Sequence, residues 1–574
     1  MDAGNGFFRE GSRRKAGRFR DAFRVLFVVL AAAQGQASAE VKPIGLSGSF
    51  NAMGGLYAAT GTSNRQDPAQ YRLALNPTVS IFDQVSLPFE LYLSSSGNGY
   101  RQPFDQFGVS PHIGNWLTLH GGYFSTQLTD LSFGDTRLLG GGIDLHPSLF
   151  RLVLLYGRSQ KARQADTVVG LHGLYDRWVA GGLIGAGRQD GTHFALAVLR
   201  VADDTASLHD PRAVAAADTN LAKYYNGPKE NLVASLSWAV SILKNFLTWR
   251  GEVAGSAFTN DATDSVVRSP SIPSWIDPVF TPRSSSQMDA AAKTSVVWAP
   301  AKMFQLGLNG RWVGPGYVTL GYNGMASDVF DFTVAPSFRF DNGKYVLKPS
   351  FGMRYNNLRD TRIATTQRII YAFTGVVQPV TAFGGDVQYT NYGTSSNARN
   401  DTLRVSNVSQ SFTMTPHYTF SAWKAVQIVT ATYAFQDFTD QNVVTANLDK
   451  FTVNSASALW NLSWPSTLTL AANLNAVSTV ASQVTTTIAG ATVTGGRSFF
   501  DKNALSVNAN VGFNWIQAGK ADWQLTAGVS ASYKIPRWGA VSILVSSNHY
   551  DYGAAGSVPS FQEYQGTLQY TLSF

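Results

Sequence analysis

Residues 561–574 read FQEYQGTLQYTLSF. Gly566, Leu568, Tyr570, Leu572 and Phe574 fall on one face of an extended chain, and Gln565, Thr567, Gln569, Thr571 and Ser573 fall on the other. Successive side chains of a strand point to opposite sides, so this period of two predicts a strand with one apolar and one polar face. Such a strand needs an apolar surface to meet, either a second layer of protein or lipid.

The same alternation recurs upstream. Leu117, Leu119 and Tyr123 oppose Thr118, His120 and Gly122; Phe150, Leu152, Leu154 and Tyr156 oppose Arg151, Val153 and Leu155. Phe304, Leu306, Leu308 and Trp312 oppose Gln305, Asn309 and Arg311. Phe330, Phe332, Val334, Phe338 and Phe340 oppose Asp331, Thr333, Ser337 and Arg339, and the tight-turn sequence Asp341-Asn342-Gly343 leads into the next strand. Late in the chain Leu505, Val507, Val511, Phe513 and Trp515 oppose Ser506, Asn508, Asn510 and Asn514. Two features favour lipid over a second protein layer. Aromatics sit at strand ends with aliphatics between them, as Phe304 and Trp312 flank Leu306 and Leu308. The polar face is Ser, Thr, Asn, Gln and Gly, where a soluble surface carries more Lys and Glu.

Composition narrows the class. Charged residues make up 14% of the chain, against about 25% in soluble proteins, aromatics make up 12%, and there are 53 glycines. No cysteine is present, which excludes disulfides, thiolate metal sites and covalent c-type haem. After Ala33 no apolar run approaches the roughly 20 residues of a spanning helix, so a membrane form must be a closed set of strands. Residues 1–39 are read as a cleaved export signal: a basic stretch from Arg9 to Arg24, an apolar run from Val25 to Ala33, and the small residues Ala37-Ser38-Ala39 before Glu40. Residues 40–574 are then a single barrel domain. The signal holds seven bases against Asp2, Glu10 and Asp21, a net +4, so the remainder carries only +4 of the total +8. No dense basic block follows residue 40, and no nucleic-acid partner is expected.

An alternating strand that ends on Phe, with aromatics at alternate positions before it, resembles the terminal signal of bacterial outer-membrane β-barrel proteins, a porin-like class rather than one family. The resemblance implies a Gram-negative outer membrane, lipid around the wall, and delivery to the barrel-assembly machinery through the strand ending at Phe574. The expected fold is all-β: a transmembrane antiparallel up-and-down barrel with long extracellular loops and short periplasmic turns. Long links are read at 202–230, 257–286, 313–329, 356–401 and 480–500. The strands so read number 23, an odd count that cannot bring both ends to one side. An added strand at 483–493 gives the expected 24, with 22 as the fallback; 356–401 is read as a loop with room for a hairpin outside the membrane.

No enzyme, cofactor or metal site is expected. His112, His120, His146, His172, His193, His209, His417 and His549 are scattered, and His209-Asp210, Asn548-His549 and Asp203-Asp204 read as solvated pairs. Few residues separate the cleavage point from Pro43, so neither a TonB-dependent-like plug nor a periplasmic repeat domain is expected before the barrel. The polar faces carry Arg151, Arg200, Arg250, Lys293, Arg311, Arg339, Lys348, Arg354 and Lys534, opposed by Glu252, Asp289 and Asp331. Lining a lumen, these bases either create a positive field that favours anions or form cross-strand ion pairs that stiffen the wall. The sequence therefore reads as an outer-membrane channel or passive transporter for polar or anionic small solutes. The alternative is a plugged or scaffold barrel of a secretion, export or surface complex. A TonB-dependent-like transporter and a barrel hydrolase are minor alternatives.

Overall fold

The structure, a computed structural model, describes residues 44–574 apart from 83–84, 96–105, 135, 166–169, 189–190, 209–223, 225, 244–245, 269–278, 399–403, 443, 445–449, 482–483 and 554–559. The expected export signal and the His209-Asp210 pair lie outside the described residues.

The strands begin with β1 (Ile44–Thr60), β2 (Ala69–Ile81), β3 (Val85–Ser94), β4 (Gln106–Val109), β5 (His112–Ile113), β6 (Leu117–Ser125), β7 (Arg137–Leu145), β8 (Phe150–Gln160) and β9 (Asp176–Gly187). They continue with β10 (His193–Asp204), β11 (Glu230–Ile242), β12 (Leu247–Thr259), β13 (Ser286–Ala301), β14 (Phe304–Val313), β15 (Val329–Phe340), β16 (Tyr345–Asn356), β17 (Thr366–Val380) and β18 (Phe383–Ser396). The last are β19 (Ser406–Ala422), β20 (Ala425–Asp440), β21 (Phe451–Ser463), β22 (Leu468–Ala481), β23 (Val484–Phe499), β24 (Leu505–Ala518), β25 (Lys520–Ile535), β26 (Gly539–Asp551) and β27 (Phe561–Ser573).

Each strand pairs antiparallel with its sequence neighbours, save that β4 and β5 each pair with β3 and β6, and β27 returns to β1 with Leu572 opposite Phe50. Reciprocal backbone bonds between Gly48 and Phe574 extend that seam. β27 therefore closes the barrel. β4 and β5 lie in one register between β3 and β6, split at Ser110-Pro111, where proline has no N–H for the ladder. They act as one broken stave, giving 26 staves, an even number as antiparallel closure demands.

The expected count of 24 is thus corrected to 26. The strand expected at 483–493 is present as β23. The two further staves are β17 and β18, which make 366–380 and 383–396 wall where a loop was expected. In β17 apolar residues fall on both faces, Ile369 beside Ile370 and Val376 beside Val377, and the period of two is erased.

Links alternate between two rims. The links that follow β6, β8, β10, β12 and β14 leave from the loop rim; the turn rim carries short links such as 302–303, 341–344 and 536–538, together with the start of β1 and the end of β27. At 341–344 both Asp341 (φ 46°) and Asn342 (φ 54°) are left-handed, as the Asp-Asn-Gly sequence predicts. The outer face is apolar and bounded by aromatics. Towards the turn rim the rings of Phe246, Trp298, Phe304, Phe338 and Phe340 follow one another at 5.3–6.5 Å. Towards the loop rim Tyr156 packs on Trp178 at 5.4 Å and Phe330 on Tyr355 at 5.1 Å. From Phe304 to Trp312 the outer face spans about 27 Å along the strand, or roughly 20 Å along the axis at a tilt of about 40°; ring widths bring this near the ~25 Å apolar band of a membrane barrel.

Candidate functional site

Over β8–β13 the alternation describes only half of the wall. Outward residues such as Leu154, Tyr156, Phe194 and Leu196 are exposed, yet their neighbours Val153, Leu155, Ala197, Leu199 and Val201 are apolar too, and buried. What buries them is the chain itself. Segments 126–136, between β6 and β7, and 314–328, between β14 and β15, meet each other and the inner wall between. Leu128, Leu131, Phe133 and Tyr317 form one cluster with Val153, Leu155, Val179, Leu183, Leu199, Val233 and Val313. The expected long loop at 313–329 is therefore corrected: it folds into the barrel.

Polar bonds fasten this plug. Phe133 bridges Gly321 in parallel, the Tyr317 hydroxyl donates to the Leu131 carbonyl (2.6 Å), and Thr319 Oγ1 donates to the Ser132 carbonyl (2.6 Å). A Cβ on Gly321 would stand 2.2 Å from the Ser132 carbonyl oxygen, so only glycine allows the two segments to touch. To the wall, Leu131 N–H donates to Glu252 Oε1 (3.0 Å), and Asn231 Nδ2 and Ser256 Oγ both donate to the Val318 carbonyl. Asp289 accepts from Gly316 N–H (2.8 Å) and from Arg359 (2.9 Å), while buried Asp328 accepts from Leu358 N–H (2.8 Å) and from Arg362 (2.6 Å). Burial, reinforced by Glu252 and Tyr322, raises the Tyr317 pKa far above the ordinary 10.0, so the hydroxyl stays protonated.

Between the plug and the turn rim lies a recess of about 680 Å³, with Asp130, His146, Arg151, Arg250, Glu252 and Lys293 among its lining residues. Three of the expected bases are therefore here. Arg151 faces Asp144 at 3.8 Å, and its buried Nε has no hydrogen-bond partner among the described residues. Lys293 pairs with Asp130 at 2.5 Å, and Arg250 has no ion pair among the described residues. Beyond the recess, Arg311 (2.6 Å) and Arg354 both bond Asp331. The register puts Arg339, Lys348 and Lys534 on the same face, without an ion pair among the described residues.

Arg200 is a correction. It shares the outward face with Leu196 and Val198 and bonds Glu230 (3.0 Å) near the loop rim. Its charge predicts an inward, watered position, but the inner face of β10 is taken by Ala195, Ala197, Leu199 and Val201. Asp203 is held by Arg177 (2.7 Å) and by Lys229 N–H (2.9 Å), a pairing with no signal in the Asp203-Asp204 sequence. Among the described residues no group of three His, Cys, Asp or Glu side chains is placed to hold a metal.

The other arc, β19–β27, differs. Its inward residues include Ser411, Thr413, Asn473, Asn475, Asn510, Asn514, Thr526 and Gln569, half-buried or exposed rather than packed. Asparagines lie sideways over inward glycines: Asn514 Oδ1 and Asn475 Oδ1 would stand 2.1 and 2.8 Å from a Cβ on Gly490, and Asn510 Oδ1 2.6 Å from one on Gly528. The lining is therefore polar, largely uncharged and of low relief. With strands ~4.8 Å apart and tilted ~40°, a wall of 26 staves encloses about 50 Å between backbones. The plug, tied to one arc, stands beside an unpacked polar arc.

No protein-family model and no curated protein matches this chain. Among solved structures it is similar to Acinetobacter baumannii OccAB4, at 11% identity over 70% of this chain and 99% of that one, with a TM-score of 0.30. It is similar to the P pilus usher (PapC) translocation pore at 11% identity over 92% and 99%, TM-score 0.27, and to Pseudomonas aeruginosa OpdK with vanillate at 8% identity over 60% and 93%, TM-score 0.29. Likeness at this level carries no functional assignment; the barrel rests on its own strand pairing.

Proposed function

We propose that this protein is an outer-membrane channel, or passive transporter, for polar small solutes. The observation that carries the reading is the division of the lumen into an arc filled by the chain's own segments and an arc lined by unpacked hydroxyls and amides. The aromatic-bounded outer face supports immersion in the outer-membrane lipid. Delivery to the barrel-assembly machinery through β27 and Phe574 belongs to the same reading, as do the turn rim facing the periplasm and the loop rim facing outside. Many inward bases are neutralised by carboxylates, so they act first as wall stiffeners. Arg250, Arg339, Lys348 and Lys534 remain to favour anions weakly.

Reconstitution into planar bilayers tests this. A steady conductance with weak anion preference is expected, and loss of that preference in Arg339→Glu/Lys348→Glu. A barrel that inserts and passes no current refutes the channel. The plug's apolar core favours the second reading, a scaffold barrel of an export or surface complex, and that reading gains if current appears only when 126–136 is removed.

A further inference from the structure

We propose that the loop-rim end of the polar arc, across β24–β27 and β1, binds neutral polyhydroxylated solutes, that is, carbohydrates. This deepens the channel reading and takes the open arc as its path. Four neighbouring strands carry an inward ladder: Asn514 Nδ2 donates to Gln524 Oε1 (3.3 Å), Gln524 Nε2 to Asn548 Oδ1 (2.8 Å), and Asn548 Nδ2 to Glu563 Oε2 (3.3 Å). From β1 the Tyr57 hydroxyl donates to Glu563 Oε1 (2.5 Å), and Arg65 of the following loop stands 3.7 Å from the same oxygen.

The ladder leaves functional capacity unused. A carboxamide has two N–H donors and an oxygen with two lone pairs. Among the described residues Gln524 and Asn548 each commit one donor and one lone pair within the ladder, which leaves each one of both for the bore. Paired donor and acceptor at strand spacing, ~4.8 Å, match hydroxyl groups, which both donate and accept. An anion offers acceptors alone and would meet the carboxylates of Glu563 and nearby Asp522; a cation cannot use the amide donors.

At the next inward position towards the rim, two residues on, is an aromatic group. Tyr550 and Phe561 lie opposite each other across β26 and β27, rings 2° from parallel with centroids 5.5 Å apart, and Tyr552 lies 4.5 Å from Tyr550. Arg65 covers Phe561 at 4.6 Å, while Tyr550 and Tyr552 stay partly exposed. A sugar ring has an apolar C–H face and a rim of hydroxyls. Aromatic faces beside amides offer both complements in one place.

The test is block of the single-channel current by linear malto-oligosaccharide, with citrate as the anionic comparison. Oligosaccharide should interrupt the wild-type current reversibly where citrate does not. Gln524→Leu/Asn548→Leu should weaken the block roughly tenfold or more, from the loss of two hydrogen-bonding groups. Tyr552→Ala, outside the wall strands, should weaken it too, and it serves where the double variant does not assemble. Block by citrate alone, or oligosaccharide block unchanged in both variants, overturns the proposal. Should the barrel pass no current at all, the channel reading falls by itself. Calorimetric binding of the oligosaccharide to the protein in detergent then decides this site: binding lost in the variants supports it, and absence of binding overturns it.

Discussion

Phe133→Ala probes the plug at the point where its two segments touch the wall. Phe133 is fully buried (0% exposed), pairs with Gly321 and packs in the cluster that includes Leu199 and Val233. Truncating a buried phenylalanine costs about 3–5 kcal/mol. The change falls on docking of 126–136 against the lumen, because the strand ladders keep every backbone bond without it. At about 1.4 kcal/mol per factor of ten, the undocked fraction should rise by about a hundred-fold to a few thousand-fold. In bilayers, the expected result is a conductance that flickers between the wild-type level and a higher one, with 126–136 newly open to protease from the loop-rim side. Phe124→Ala, in the same cluster but on wall strand β6, should flicker less. A steady wild-type trace from Phe133→Ala, with the segment still protected, would show that the apolar cluster does not hold the plug.

Alkaline titration should loosen the same contact. The Tyr317 pKa is raised in the docked state, so its contribution is intact below the ordinary 10.0 and is lost as pH climbs above that value. Tyr317→Phe should abolish this alkaline step in current noise at a cost of about 1 kcal/mol for the bond to Leu131. Arg362→Ala leaves buried Asp328 with a single described partner, Leu358 N–H. Because Arg362 is half exposed, the loss should be about 1–2 kcal/mol, read as more frequent opening that high salt reproduces in the wild type. Arg200→Ala/Glu230→Ala removes an outer-face pair and should leave ion selectivity unchanged, whereas Lys348→Glu should shift the reversal potential towards cations. Gly490→Val should push Asn514 and Asn475 off their glycine and narrow the polar arc, lowering conductance without altering the plug.

The sequence by itself determined the wall. Where one face meets lipid and the other water, residue type reports direction, so the faces of β6, β14–β16, β24 and β27 were legible residue by residue, as was the turn at Asp341-Asn342-Gly343. Zero cysteines and the lack of a spanning helix narrowed the rest. The reading lapsed where both faces became apolar. β17, with Ile369 beside Ile370, carries no period of two to mark it as wall, and the charge of Arg200 on β10 points to the wrong face. Only the tertiary structure decided what fills the bore. Leu128, Leu131 and Phe133 are three apolar residues in a link without strand periodicity, and their partners Leu199 and Val233 lie on strands far along the chain. Period-two patterning is a local property of one strand, whereas the plug is a set of contacts made across the ring after closure. The pairing of Arg311 and Arg354 on a shared Asp331, and the ladder from Asn514 to Glu563, likewise depend on registers that no single strand encodes.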